Sequence, residues 1–207
     1  MGNNYQISGD SGEYEFLTES VELSKYVSGM CIEIGLRRGL GTKTIIDAVR
    51  QYCPGKTVVA VDPYGSILYK PREHMEACRL DYTNQMKAET LAALWAYVAE
   101  NPVDFHYFCM TDDEYFERFG DFVPIYNIDE IGCTGYSFVH LDGPHSVESV
   151  NHEVDWFSDR MLPGAILCID DITSDFIPIE LVEQHMGDRF ECIKKGFKKG
   201  LWRRRDA

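Results

Sequence analysis

The chain has 207 residues, 44% of them hydrophobic, which is the size and apolar content of one globular domain with a sizeable core. Its formal charge of −14 excludes a general nucleic-acid binder, because a polyphosphate would be repelled over most of the surface. No run of about 18 apolar residues and no basic-then-apolar leader occurs, and Gln6 spoils the myristoylation pattern that Met1-Gly2 begins, so a soluble protein with no membrane partner is expected.

A single domain is expected over 1–207, with 1–16 as an N-terminal extension. The first strand is Met30 to Ile34, and it runs into "CIEIGLRRGLGTKTII", an apolar run with an embedded acid followed by three glycines and a helix. A P-loop needs Gly-Lys-Ser/Thr to close its glycine turn, but Lys43 and Thr44 follow Gly41 one residue late. A dinucleotide fingerprint needs a third glycine where Thr44 stands, and it should start directly off the strand. The spacing Glu-x-Gly-x-x-x-Gly-x-Gly-Thr, with Glu33, Gly35, Gly39, Gly41 and Thr42, fits without adjustment. It supplies a sharp turn and two further glycines that let the backbone approach a bulky ligand.

The helix after this turn places Ile45, Ile46, Val49 and Tyr52 on one face and stops at Cys53-Pro54-Gly55. The second strand, "TVVAVD", reaches Asp62, and residues 66 to 84 show no clean period, so 64–84 reads as a cap loop. "AETLAALWAYVAE" is a helix stopped by Asn101-Pro102, and "DFHYFCM" is a third strand leading into Thr111-Asp112-Asp113. The fourth strand, "YSFVHL", ends at Asp142, and Val147, Val150, Val154, Phe157 and Met161 then mark an amphipathic helix. "LPGAILCIDD" gives a turn, a buried fifth strand and the acids Asp170 and Asp171. A helical "PIELVEQHM" precedes two last strands, "FECI" and "LWRR", which form an antiparallel hairpin around a lysine-rich turn. This alternation is an α/β class, doubly wound, with a mostly parallel sheet of seven strands closed by a C-terminal antiparallel hairpin.

Two compositional features complete the pass. Seven cysteines stand singly at 31, 53, 78, 109, 133, 168 and 192, several inside apolar runs, which suggests reduced, mostly buried thiols in a cytoplasmic protein. Lys194, Lys195, Lys198, Lys199 and Arg203 to Arg205 make the tail basic; a solvated hairpin is expected there, with docking of an anionic partner or substrate as the alternative.

With the glycine turn, the acid after the second strand and "HLDGPHSVESVNHEVDWFSDRMLPGAILCIDD" in hand, the chain resembles the Rossmann-like class I S-adenosylmethionine-dependent methyltransferases. Within them it is similar to the metal-dependent O-methyltransferases of the macrocin and mycinamicin type, and to cephalosporin-hydroxylase-like sequences. The shared pattern is strand-Asp-Gly-x-His, helix, Leu-x-Pro-Gly, strand, Asp-Asp, over roughly residues 17 to 205; Pro144 stands where several relatives have an acid. The resemblance implies S-adenosylmethionine as cofactor, with Glu33 and Gly35 near its methionine portion, Gly39, Gly41 and Thr42 also cofactor-binding, and Asp62 at its ribose hydroxyls. It also implies Thr111 and Asp112 at its adenine.

Ligands of open α/β sheets bind beyond the carboxyl ends of the strands, where all these acids lie. Were the fourth and fifth strands neighbours, about 4.8 Å apart, Asp142, Asp170 and Asp171 would converge and repel unless a cation intervened. Oxygen-only ligands favour Mg²⁺ or Mn²⁺. His145, three residues beyond Asp142 at a helix start, is a candidate general base alongside a catalytic Asp142, with helix capping as its other role. His140, inside a strand, is expected to be a satisfied core residue. Tyr64, Tyr69, Arg72 and His74 of the cap are candidates for an acceptor pocket.

The expected activity is divalent-metal-assisted O-methyl transfer to a hydroxyl of a small molecule, a sugar or a glycosylated or phenolic metabolite. The alternatives are a hydroxylase-like relative, disfavoured by the lack of paired histidines around the acids, and a cofactor-binding module without catalysis. Homo-oligomer formation is left open.

Overall fold

The structure is a computed structural model that describes residues 6–65, 67–69, 74–79, 82–120, 122–126, 131–133, 135–173 and 177–206. In chain order the elements are α1 (Glu15–Leu23), β1 (Met30–Ile34), α2 (Leu40–Tyr52), β2 (Val58–Val61), β3 (Leu68–Tyr69), β4 (Cys78–Arg79), α3 (Asn84–Glu100), β5 (Phe105–Phe108) and α4 (Asp112–Arg118). There follow β6 (Val123–Tyr126), β7 (Ile131–Cys133), β8 (Tyr136–Leu141), α5 (Val147–Ser158), β9 (Met161–Ile169), α6 (Ile179–Met186), β10 (Phe190–Lys195) and β11 (Gly200–Arg204).

The seven-stranded sheet has the order β10-β11-β9-β8-β1-β2-β5. β5, β2, β1, β8 and β9 are parallel, and β11 and β10 close the far edge antiparallel, as the alternation of the sequence implies. Every residue of β1, β2 and β8 is buried, the expected state of parallel strands covered on both faces. Alternate side chains serve opposite layers. Ile32, Ile34, Val139, Leu141, Leu167 and Ile169 pack with α5 and α6, while Cys31, Val58, Ala60, Phe138, Ile166 and Cys168 pack with α1, α2 and α3. Helix starts are set locally: Thr83, Thr111 and Ser146 each accept a backbone N–H from three residues on.

Register carries the consequence for function. Ile34 lies level with Val61 on one side and with Leu141 on the other, and Leu141 lies level with Ile169. The next residues, Asp62, Gly35, Asp142 and Asp170, therefore form one row along the carboxyl edge of four adjacent strands.

Four stretches differ from the sequence reading. Met161 opens β9 instead of ending α5, and Leu162-Pro163-Gly164 lies within that strand, not in a turn; the β8–β9 pairing jumps from Tyr136↔Met161 to Phe138↔Ile166, so an irregularity with Gly164 at φ +83° absorbs the extra residues. α4 was not anticipated, although Thr111 and Glu114 form a complete capping box. The β6–β7 hairpin was likewise unassigned, and the cap loop contains the short β3–β4 pair. Cys31, Cys53 and Cys168 are buried free thiols, whereas Cys109 and Cys192 are exposed. Among the described residues no helix is long and apolar enough to cross a membrane.

Phe157 of α5 is fully buried and meets Tyr136 at 5.1 Å and Phe116 at 5.5 Å between ring centroids. Phe157→Ala should lower the stability read from urea unfolding by about 3–5 kcal/mol with an unchanged m-value.

Candidate active site

A cavity of about 380 Å³ opens over the carboxyl edge, at the point where the chain order reverses between β1 and β8. Ile34 and Gly35 at the end of β1, Val61 to Tyr64 at the end of β2, Asp112 at the start of α4, Asp142 to His145 after β8 and Asp171 after β9 line it. Asp10, Ser11, Arg37, Ile67, Tyr82 and Lys198 complete the wall. Five aspartates thus face the cavity (Asp10, Asp62, Asp112, Asp142 and Asp171) against two cations, Arg37 and Lys198.

The glycine turn divides into two jobs. Gly35 lines the cavity at φ +93°, and a methyl there would strike the backbone carbonyl of Asp142, so only glycine lets the ends of β1 and β8 abut. Gly39 and Gly41 are not in the cavity wall. Gly39 packs on Leu94 and Thr90 of α3, and a methyl on Gly41 would collide with Glu33 Oε1. Glu33 is buried beneath α2, where Thr42 Oγ1 donates to its Oε2 and His140 Nδ1 lies 2.9 Å from its Oε1. Glu33 and Thr42, expected near the cofactor, are thus committed to each other inside the fold. The acid in an apolar strand is reconciled by partners.

Asp62 does face the cavity, with much of its bonding capacity used. Its Oδ2 accepts the N–H groups of Leu36 (2.9 Å) and Arg37 (3.0 Å), and its Oδ1 accepts that of Tyr64 (2.8 Å). Burial pushes its carboxyl up, against these three amides, and the nearby Glu33 adds to the rise. One conventional acceptor position remains, on Oδ1, so Asp62 can receive one ribose hydroxyl, not the pair that the sequence suggested. Tyr64, at φ +50°, donates its hydroxyl to Arg37 O, tying the cap's first residues to the turn. At the other end Asp112 lines the cavity, but Thr111 does not, its side chain being spent on the α4 cap. Behind Gly143 sits Glu153 of α5, whose two carboxylate oxygens are buried without a hydrogen-bond partner; burial, then Asp112 and Asp113, push its carboxyl well up.

The three aspartates expected to hold Mg²⁺ or Mn²⁺ do not assemble as one ligand set. Among the described residues, ligand-type atoms of His140, Asp142 and Asp170 lie within 4.8 Å of one another, and Asp171 is outside that group. Asp171 sits at φ +52°, its N–H donates to Asp170 Oδ1 at 2.7 Å, and its own carboxylate lies 3.6 Å from His145 Nε2 and 3.7 Å from Lys198 Nζ. Asp170 is fully buried and not in the cavity wall. Its Oδ2 accepts from Ser11 Oγ (2.7 Å) and from the ammonium of Lys199, which is itself fully buried. Burial would raise the Asp170 carboxyl, but Lys199 outweighs it and holds it low. Asp142 goes the opposite way, pushed well up by burial and then by Asp170. An ammonium already seated on Asp170 does not fit a three-aspartate Mg²⁺ or Mn²⁺ site.

The remaining expectations fall as follows. His145 is in the wall, facing Asp171, and His140 lies in the group with Asp142 and Asp170, its Nε2 buried and without a partner. Tyr64 lines the cavity and His74 is exposed; Arg72 and the Tyr69 side chain lie outside the described residues. The lysines of the tail are not simply solvated, since Lys194 pairs with Glu19 and Lys195 with Glu183, each at 2.6 Å. Sequence reasoning missed Lys199, Ser11 and Asp10. The signal for Lys199 was its place directly before "GLW", the inward-facing start of the last strand.

A family model described as a methyltransferase domain matches residues 32–172. No individual curated protein matches. Among solved structures, CalS11, a calicheamicin methyltransferase, is similar over 92% of this chain and 76% of its own, with TM-score 0.67 and 15% identity. The O-methyltransferase TomG from Streptomyces achromogenes, solved in complex with SAM, aligns over 97% of this chain and 82% of its own, with TM-score 0.60 and 11% identity. An O-methyltransferase from Bacillus cereus in complex with SAH gives 97% and 84%, TM-score 0.57 and 11% identity.

The Gly41–Glu33 contact generates a test within the fold itself. Gly41→Ala should overpack the Glu33 pocket and cost about 1–3 kcal/mol in urea unfolding, whereas Gly55→Ala, where a methyl meets nothing within 4 Å but φ is +104°, reports backbone strain alone.

Proposed function

The chain belongs to the methyltransferase-domain family, and from that premise we propose that it moves the methyl group of S-adenosylmethionine to a hydroxyl oxygen of a small molecule. What carries the reading is the acidity of the cavity, five aspartates to two cations, at the switch point of the sheet. A nucleoside that carries a sulfonium and an ammonium is drawn into such a field, whereas a nucleotide polyphosphate is repelled. Asp62 supplies an acceptor for one ribose hydroxyl, and Asp112 a polar contact at the α4 end of the cavity. Ile34 and Val61 supply apolar surface between them.

The other end of the cavity, at Asp142, His145 and Asp171, is where the acceptor belongs. The hydroxyl oxygen attacks the methyl carbon in line with the carbon–sulfur bond, which breaks to leave a neutral thioether, S-adenosylhomocysteine. The hydroxyl proton passes to the His145 imidazole, and the carboxylate of Asp171, 3.6 Å from Nε2, stabilises the imidazolium that results. Asp142, in the wall beside it, orients the hydroxyl by hydrogen bonding. No step in this sequence is routed through a metal, since Asp170 is committed to Lys199. The hydroxylase-like alternative, which needs a redox ion, loses support for the same reason.

CalS11 is described as a TDP-rhamnose 3'-O-methyltransferase, so a sugar hydroxyl leads the classes of acceptor, ahead of a glycosylated or phenolic metabolite. The deciding assay is transfer of labelled methyl from S-adenosylmethionine to a panel of sugars, glycosides and catechols. Failure across the panel despite tight cofactor binding would favour a binding module without catalysis.

Two substitutions separate the ends of the site. Asp62→Ala should weaken S-adenosylhomocysteine binding in calorimetry by about 10- to 100-fold, the value of one charge-assisted hydrogen bond plus the slackened Gly35 turn. His145→Ala should instead lower kcat by about 10²- to 10⁴-fold and leave S-adenosylhomocysteine affinity near that of the unsubstituted protein.

A further inference from the structure

We infer that Lys199 is the resident cation of the Asp142–Asp170 pair, holding the place a divalent ion would take, so that the acceptor end of the cavity is complete without bound metal. This deepens the reading of the same site, and the geometry it rests on does not depend on which acceptor is used.

Sheet register puts Lys199 there. Gly200 pairs with Ile169 and Leu201 with Cys168 in the antiparallel β11–β9 ladder, so Lys199 stands directly across from Asp170. Its ammonium donates to Asp170 Oδ2 and, at 3.1 Å, to Ser11 Oγ, which in turn donates to the same Oδ2 at 2.7 Å. The Tyr14 ring centroid lies 5.5 Å from Nζ. Carboxylate, hydroxyl and ring together satisfy a charge removed from water, as a buried ammonium requires.

The N-terminal segment is built around this placement. Glu13 Oε2 accepts the backbone N–H groups of Lys198 (2.7 Å) and Lys199 (2.9 Å), and Glu13 Oε1 accepts that of Phe197 (2.8 Å). Glu13, Ser11 and Tyr14 therefore fix the lysine from one side while the sheet fixes it from the other. The group the ammonium occupies is of metal-ligand type: His140 Nε2 is buried without a partner, and its ligand-type atoms with those of Asp142 and Asp170 lie within 4.8 Å. A hard divalent ion at the same carboxylates would face the ammonium at a few ångströms, and two like charges there repel strongly.

The test is a Mn²⁺ titration of chelator-treated protein, with free ion read by electron paramagnetic resonance and melting temperature followed in parallel. The unsubstituted protein should take up no Mn²⁺, and its melting temperature should not respond to Mn²⁺ or chelator. Lys199→Met, which keeps length and removes charge, should take up one ion per chain, tighter by about 10-fold or more now that no like charge opposes it, and should be stabilised by it. Uptake of one equivalent by the unsubstituted protein with a raised melting temperature would overturn the inference, as would a folded Lys199→Met that binds no better. Should Lys199→Met fail to fold, Lys199→Arg retains the charge and should stay free of Mn²⁺, uptake by it being a further contrary result. S-adenosylhomocysteine affinity, measured on the same samples, reports the methyltransferase reading separately, because ion uptake requires no transfer.

Discussion

The site depends first on the parallel register of four strands. Because Ile34, Val61, Leu141 and Ile169 are level, the residues that follow them fall in a single row, and a turn residue on one strand is automatically a neighbour of the turn residues on the next. Gly35 in that row carries no side chain and abuts the Asp142 carbonyl. Asp62, Asp142 and Asp170 then crowd carboxylates into the same edge, and their differing fates follow from what each is given. Asp62 has three amides, Asp170 has an ammonium and a hydroxyl, and Asp142 has neither in comparable number and is driven towards its neutral form by burial and then by Asp170. The row thereby separates into a fixed, charged pair behind the wall and an adaptable carboxyl in it.

Much of this was legible in the sequence because it rests on local pattern. Buried strands announce themselves as apolar runs, and the acids at their ends need no tertiary information to be found, so the α/β class, the seven strands and the positions of Asp62, Asp142, His145 and Asp171 could be read directly. What a pattern cannot tell is which way a residue after a strand end will turn. Asp170 and Asp171 are adjacent, yet Asp170 joins Lys199 and Asp171, at φ +52°, joins His145. Nor can it tell whether a glycine opens space for a ligand or for the protein itself. Gly39 and Gly41 make room for α3 and Glu33, a distinction that lies wholly in packing across the sheet. Lys199 was hidden by its neighbours, since four lysines in six residues read as a solvated turn although one of them stands directly before a strand.

Buried charge on this scale is not retained for stability. Removing one member of a buried pair typically costs about 3–5 kcal/mol, yet replacing the whole pair by apolar residues of similar volume is often neutral or favourable. A core could therefore have been built more simply where Asp170 and Lys199 lie. Their presence fits fixed electrostatics behind the cavity wall, where, on the proposed reading, an oriented ammonium needs no reorganisation as the acceptor hydroxyl loses its proton.

The same reasoning extends to Glu33 and His140, which lie two residues below the row and level with each other across β1 and β8. Thr42, Glu33 and His140 form a chain of buried contacts from the first turn of α2 to the group that Asp142 and Asp170 share, and from there Lys199 and Ser11 carry it to the N-terminal segment. Thr42, Glu33 and His140 Nδ1 are satisfied by one another, whereas His140 Nε2 is buried without a partner, so the loss of Glu33 would leave further buried polar atoms unpaired. Such contacts resist sliding of α2 against β8, and β8 carries the Asp142–His145 loop that abuts the Gly35 turn in the cavity wall. In-line displacement, as the proposed reaction requires, tolerates little error in the distance between a methyl donor and a hydroxyl bound above these turns. A polar network under the floor of the cavity fixes that distance more firmly than apolar packing, which admits alternative fits of nearly equal energy, would do.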